Sequence, residues 1–173
     1  MNVKDAIQNR YSVRAYQDRP VEREKLLAVL EAGRLAPSGG NRQPWRFVVV
    51  QDAALRQKLI DACRQQEFIG QAPVVIVAVG LTPERIMTCG VPGDAVDVSI
   101  ALEHIALAAV EQGLGTCWIG AFEQDKIRQV LSIPATVKVI EVMPLGYPAD
   151  PPRPKTRKPM DEIVCWDKWA QPL

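Results

Sequence analysis

The sequence predicts an α+β or α/β domain of about four strands and five helices, and three observations carry that class. Four runs have strand length and a largely apolar, β-branched or aromatic make-up. Segments with helical spacing of apolar residues separate them. Gly, Pro, Asn or Asp marks the junctions. A chain of 173 residues fits one domain, 1–173, at ~100–200 residues per domain. At that length roughly 70% of the unfolded surface is buried, so the core needs no covalent staples.

Val3, Ala6 and Ile7 mark a short first helix with Asn2 as its N-cap. Leu26, Leu27, Leu30 and the run Gly33 to Ala36 mark a second, stopped before Pro37 because the residue before proline disfavours helix. Arg46 to Val50 (RFVVV) reads as a strand. Asp52 then caps a third helix that sets Leu55, Leu59 and Cys63 on one face. Val74 to Val79 (VVIVAV) is apolar throughout, the pattern of a strand covered on both faces. Asp94 or Asp97 opens a long helix running to about Gln112, and its Ala101, Ala106, Ala108 and Ala109 let another backbone approach closely. Thr116 to Ala121 is strand-like, Glu123 to Leu131 helical, and Val137 to Met143 the last strand. Six of the 14 prolines fall between Pro144 and Pro159. Proline lacks the ladder donor, so 144–173 is expected to be an extended arm.

Composition excludes several classes. Hydrophobic residues are 47% and charged residues 24%, an ordinary globular mix. Lys and Arg number 21 against 20 acids, so net charge gives no reason to expect nucleic acid or an anionic membrane as partner. The longest uncharged stretch, Phe68 to Pro83, is sixteen residues broken by Gly and Pro, short of the ~20 a spanning helix needs. No apolar leader follows Met1, which points to a cytoplasmic protein. Cys63, Cys89, Cys117 and Cys165 lie far apart and are expected as reduced thiols. With His104 as the single histidine, a His₂ metal site is impossible within one chain, and no metal is expected.

Four constellations could carry chemistry. In Arg10-Tyr-Ser12-Val-Arg14, an extended backbone points two guanidiniums and a hydroxyl the same way. Arginine's planar fork suits phosphate or carboxylate oxygens. A solvated basic surface is the plainer alternative. Residues 153–158 hold four positive charges and no acid, with Lys155 and Arg157 on one face if extended. A solubilising tail explains that run equally well. Together, the two clusters from opposite chain ends suit a phosphate monoester, which carries close to two negative charges. Pro37, Ser38, Gly39, Gly40 and Asn41 lie between a helix and a strand, where the glycines permit close backbone approach and Ser38, Asn41 and Gln43 offer polar edges. A turn explains Pro-Ser-Gly-Gly, and explains Asn-x-Gln-Pro-Trp less well. Gly113-Leu-Gly115-Thr-Cys-Trp118-Ile-Gly120 imitates a dinucleotide fingerprint but has Trp118 at the third glycine and runs from helix into strand, the reverse order. Gly113 reads better as a helix C-cap, leaving Ile119 and Gly120 to present amides to a planar ligand.

No Walker sequence, Gly-x-Ser-x-Gly or paired-carboxylate signature is present. His104 lies mid-helix and reads as a core or interface residue. Cys89 is a loop thiol with nothing nearby in sequence to lower its pKa.

Taken in order, RYSVR, APSGGNRQPW, APVVIVAVG, DVSIALEHIALAAVEQGLGTCWIGAF, MPLGYPADPP and PKTRKPMDEIV resemble the FMN-dependent nitroreductase family over nearly the whole chain. The resemblance implies an α+β fold with a central mixed four- to five-stranded sheet flanked by helices. It implies an interlocked homodimer whose C-terminal arm crosses the partner, with two FMN sites at the interface. Arg10, Ser12, Lys155 and Arg157 would hold the flavin phosphate, and Arg14 would meet the pyrimidine edge. Pro37, Ser38 and Asn41 would come from the other subunit. Ile119 and Gly120 would lend backbone amides near the redox-active nitrogen. Gln65 would contact the ring, although Gln66 fits that place almost as well. The flavin would carry hydride from NADH or NADPH to a nitroaromatic, a quinone or a similar conjugated small-molecule acceptor by ping-pong exchange, which accounts for a site without a catalytic triad.

Two departures from the family pattern bear on substrate. Gly39 stands where members often carry Ser. The excursion between Val79 and Asp97 is short, so cover would come only from Leu81 to Gly93, with Met87 and Cys89 lining the substrate pocket together with Thr88 and Val91. That shortness argues against the iodotyrosine-dehalogenating branch, which relies on an ordered lid. Three competing readings stay open: a flavin-binding carrier or sensor without turnover, a flavin enzyme of one specialised substrate, and a flavin-free thiol enzyme centred on Cys89.

Overall fold

The structure, a computed structural model, describes residues 1–169; the last four residues of the expected arm lie outside the described residues. Helix α1 (Val3–Asn9) starts where Asn2 Oδ1 accepts the Asp5 N–H at 2.9 Å. Helix α2 spans Arg23–Arg34 and α3 Ala53–Ala62, the latter capped by Asp52 Oδ1, which accepts the Leu55 N–H at 2.8 Å. A four-residue helix, α4 (Phe68–Gln71), precedes the second strand. Helix α5 (Gly93–Glu111) is central, α6 covers Gln124–Leu131, and α7 is a single turn at Met160–Ile163. The strands are β1 (Trp45–Val50), β2 (Val74–Gly80), β3 (Gly115–Thr116) and β4 (Lys138–Gly146).

They form a sheet in the order β1-β2-β4-β3 with every ladder antiparallel. The parallel component comes from one bridge, Ser12 to Thr116, at the β3 edge. All seven residues of β2 are buried, as an apolar strand covered on both faces requires. On one face α2 and α5 pack over Ile76, Ala78, Met143 and Leu145. On the other, α3 and α6 pack over Val75, Val77, Val79 and Val142. Each fully buried aliphatic side chain contributes about 1.5–3 kcal/mol relative to exposure. The α2–α5 contact depends on Gly33, where a Cβ would stand 2.7 Å from Ile105 Cδ1. Among the described residues no helix is long and apolar enough to cross a membrane.

Several boundaries differ from the sequence reading. Val29 rather than Leu27 fills the buried face of α2, and Leu27 is half exposed. Neither Asp94 nor Asp97 caps α5. The helix begins one residue after Pro92, and both aspartates sit inside it, buried. The predicted strand at Thr116–Ala121 lasts only through Thr116, with Ile119 returning once to bridge Val142. Pro144 belongs to β4, opposite Val75, so the arm begins after Gly146. The proline is tolerated because its carbonyl accepts the Tyr16 hydroxyl at 3.3 Å, and a strand residue's N–H points to the same side as its C=O.

Candidate functional site

The chain's two ends meet along one seam. Segment 147–150 runs antiparallel to residues 11–17. The Gln17 N–H donates to the Tyr147 carbonyl and the Ala149 N–H to the Ala15 carbonyl, each at 2.9 Å. The Tyr11 hydroxyl donates to the Asp150 carbonyl at 2.7 Å, and the Arg14 N–H to Asp150 Oδ2 at 3.3 Å. Residues 11–13 are pinned on the sheet by the Val13 N–H, which donates to Thr116 O at 3.0 Å. Val13 itself is fully buried against Gly115, where any Cβ would collide with it. That burial fixes the alternation, so residues 10, 12 and 14 turn outward together.

The result is an open cleft of about 210 Å³ lined by Arg10, Ser12 and Arg14 from one end and by Arg153, Lys155 and Arg157 from the other. Tyr11, Pro154 and Thr156 complete it, so the lining holds five cations and no carboxylate. Among the described residues, none of these cations has a carboxylate oxygen within ion-pair distance. Their bonds go to carbonyls instead. Arg14 Nη1 donates to Ser12 O at 3.3 Å, Arg157 Nη1 to Thr156 O at 2.7 Å, and Lys155 Nζ to Gln8 O. Partial desolvation, then the neighbouring charges of Arg10 and Arg157, push the Lys155 ammonium below its ordinary pKa. Mutual repulsion of this kind is relieved by an anion, and exposed guanidiniums supply its hydrogen bonds. The residues present therefore fit a phosphate monoester.

Beneath the cleft lies Cys117, a buried thiol raised by burial and pulled back by Arg14, by a bond to the Ser12 side chain and by Arg10. Beyond it the chain leaves the ladder. Ile119 spends its N–H on Val142 O at 3.0 Å and accepts the Val142 N–H at 3.2 Å. This corrects the expectation that both amides face a ligand. Gly120 is exposed, with open space where a Cβ would be, and its N–H, unlike that of Ile119, donates to no acceptor among the described residues. The structure also separates the two glutamines. Gln65 turns away and donates to Asp61 at 2.9 Å, whereas Gln66 Nε2 donates to Cys63 O at 2.9 Å and reaches Ala121 O at 3.5 Å. Gln66, not Gln65, stands beside the 119–121 segment.

The remaining predicted residues lie elsewhere. Pro37, Ser38 and Asn41 do not line the cleft. Their loop is tied to the start of α5, where the Gly39 N–H donates to Asp97 Oδ1 at 3.0 Å and Ser38 Oγ accepts the Gln43 N–H at 2.8 Å. Gly40, Asn41 and Gln43 have positive φ, which leaves the Asn41 side chain exposed at the loop tip. Arg85 shares Asp97, at 3.3 Å from Oδ2, and so clasps the 81–93 loop to the same point. Met87 in that loop is half buried and Cys89 exposed, across a tight turn closed by the Gly90 N–H to Met87 O at 2.8 Å. Sequence reasoning missed Tyr11, Arg153 and the Asp97–Arg85 clasp. Arg153 sat in the basic run already singled out, whereas nothing in the spacing of Arg85 and Asp97 signalled their meeting.

Fold and cleft together define an α+β domain that gathers unpaired cations from both termini at the edge of an antiparallel sheet. The profile of the Nitroreductase family matches residues 7–67 and 61–147, and the chain belongs to that family. A relative from Methanothermobacter thermautotrophicus, provisionally named an NADH dehydrogenase/NAD(P)H nitroreductase, is 38% identical over 176 residues, covering 98% of this chain and 88% of its own. An FMN reductase [NAD(P)H] of Bacillus subtilis is 31% identical over 169 residues, covering 88% of this chain and 68% of its own. The crystal structure of a nitroreductase family protein from Clostridium novyi superposes with a TM-score of 0.83 at 35% identity, covering 99% of this chain and 97% of that one.

Proposed function

We propose that this chain is an FMN-dependent oxidoreductase that takes hydride from NADH or NADPH and passes it to flat conjugated acceptors such as nitroaromatics or quinones. The observation that carries this reading is the cleft of five cations without a carboxylate, drawn from both ends of the chain. Family membership and the relatives' names support it. Bound there, FMN supplies the two-electron chemistry, and the protein supplies placement and charge. Arg10, Ser12, Lys155 and Arg157 hold the phosphate. Arg14 would meet the pyrimidine edge of the flavin, and the Gly120 N–H and Gln66 would be its neighbours at the 119–121 segment.

The functional unit in this reading is a homodimer in the cytoplasm, with neither membrane nor nucleic acid as partner. Pro37, Ser38 and Asn41 of one subunit complete the ring site of the other, and Met87 and Cys89 line the acceptor's side. The exposed apolar residues of the arm and of α1 support a second copy as their cover. Ile163, Trp166 and Trp169 are 60%, 85% and 89% exposed, and Val3 and Ile7 are 71% and 56% exposed.

The test combines a spectrum with a double variant. The purified protein is expected to show flavin absorption, or to gain it on adding FMN, and to oxidise a nicotinamide faster when an acceptor is present. Lys155→Ala with Arg157→Ala weakens FMN binding by about tenfold for each cation removed, since one charge-assisted hydrogen bond is worth at least ~1.4 kcal/mol. A double variant that keeps full flavin occupancy under dilution refutes the phosphate assignment. A wild type that refuses FMN refutes the function.

A further inference from the structure

Glu141 lies at a place where the fold has no evident use for a carboxylate. It is on β4 opposite Ala78, immediately before Val142, the residue that exchanges both backbone bonds with Ile119. One rung of sheet thus separates it from the 119–120 segment. Its Oε1 is buried and accepts no hydrogen bond, and among the described residues no cation pairs with it. The residue is half-buried, and a carboxylate with one orphaned oxygen and no cation beside it is costly, so such a group either neutralises or has a task.

We propose, resting on the flavin reading above, that Glu141 is a proton-holding residue that takes up a solvent proton when the bound flavin is reduced. The electrons and one proton arrive together as hydride from the reduced nicotinamide, which leaves oxidised. The hydride leaves the ring one unit more negative. A second proton, from water, forms an O–H bond on the Glu141 carboxylate and offsets that charge. Oxidation by the acceptor returns it. Glu141 acts through the field across Ile119 and touches no reacting atom, which makes it a positioning residue in the electrostatic sense.

The surroundings favour this assignment. Burial pushes the carboxyl up to about 7, against a weaker opposing pull from the Val142 and Ile119 N–H groups. From α3 the titratable group facing it is Cys63, and from the end of β3 it is Cys117. Cys63 is pushed up to about 12 by burial and then by Glu141, and Cys117 is raised mainly by burial, so neither thiol supplies a proton near neutrality. From β2 it faces Ala78, which has no charge. The sign follows. Below pH ~7 the acid is already protonated in the oxidised protein and reduction adds nothing to it. Above that value it is ionised before reduction, and the new negative charge raises its pKa further.

The test is a reductive titration of the FMN-loaded protein with dithionite at several pH values from about pH 5 to about pH 9, reading protons taken up per electron pair. The expected wild-type result just above neutrality is about two protons, and Glu141→Gln takes up about one, while both agree below about pH 6. Glu141→Asp restores part of the extra uptake. Reduced-minus-oxidised infrared spectra provide a second reading on wild-type protein alone, a carboxylic-acid carbonyl band that grows on reduction at alkaline pH. Equal uptake in wild type and Glu141→Gln with flavin bound in both, or a wild type without that band, overturns the inference and leaves the flavin reading intact. A protein that binds no FMN overturns both.

Discussion

Arg14 illustrates how a single side chain is aimed by its neighbours. Val13 is locked under the sheet edge, and the Arg14 N–H is held by Asp150, so the side chain turns outward and its guanidinium lines the cleft. A cation there favours the anionic, reduced form of a ring held against it. A preference equal to one pKa unit is about 1.36 kcal/mol, or roughly 30 mV for a two-electron couple. Arg14→Ala is therefore expected to lower the flavin midpoint potential by tens of millivolts. Redox titration against a dye of known potential checks it, and an unchanged value with FMN still bound would show that Arg14 does not face the ring. Arg14's direction was legible because alternation needs only an extended backbone. It could not distinguish Gln65 from Gln66, since both sit where the chain turns out of α3 and Gln65 has φ of 57°. Which of two adjacent residues faces a site across such a turn depends on tertiary contacts. The spent N–H of Ile119 was hidden for the same reason: a hydrogen bond to β4 is a property of register, not of residue type.

At the scale of elements, propensity found β1, β2 and the body of β4 because β-branched runs have few other uses. It over-extended β3, whose residues suit a strand but run out of partner after Thr116. It ended β4 too soon by reading Pro144 as an arm residue, and it passed over α4, too short to show a period. The link between β4 and the arm rests on a cluster that no motif announced. Tyr147 accepts from Lys25 Nζ at 2.8 Å and donates to Glu22 Oε2 at 2.6 Å, with the Arg19 guanidinium 3.7 Å above its ring. The Tyr147 hydroxyl, Glu22's own backbone and Arg19 hold the Glu22 carboxyl down at about 2, below its ordinary 4.5. A depressed carboxylate contributes stability above 4.5 that is lost as pH falls through about 2. Tyr147→Phe removes both hydroxyl bonds and is expected to lower the stability of the fold near neutrality. The loss shrinks as acid protonates Glu22. Urea melts at neutral and strongly acidic pH measure it, and an equal loss at both would assign the effect to packing of the ring alone.

For the whole molecule, the arm poses a problem that one chain does not solve. From Pro151 to Ile163 every residue is exposed, yet the segment carries Met160 and Ile163 and leads to Trp166 and Trp169. Extended chain pays about 1–2 kcal/mol per ordered residue in conformational entropy, which exposed side chains cannot offset. Contact with a second copy can, because aromatic residues bury the most area per side chain fixed. The same contact would carry the cleft's cationic wall, Arg153 to Arg157, toward the subunit boundary, coupling assembly to cofactor retention. Removing residues from Pro159 onward separates these contributions, since it keeps Lys155 and Arg157 and deletes the apolar end. The wild type is expected to sediment at about twice its 19.1 kDa chain mass. The truncated protein should shift toward monomer on dilution and lose FMN in step with that shift, while circular dichroism shows the sheet and helices of 1–147 retained. A truncated chain that stays dimeric would place the interface outside the arm, with Val3 and Ile7 of α1 as its exposed apolar candidates. One that becomes monomeric yet keeps FMN at full occupancy would show that each chain binds the cofactor without help from its partner.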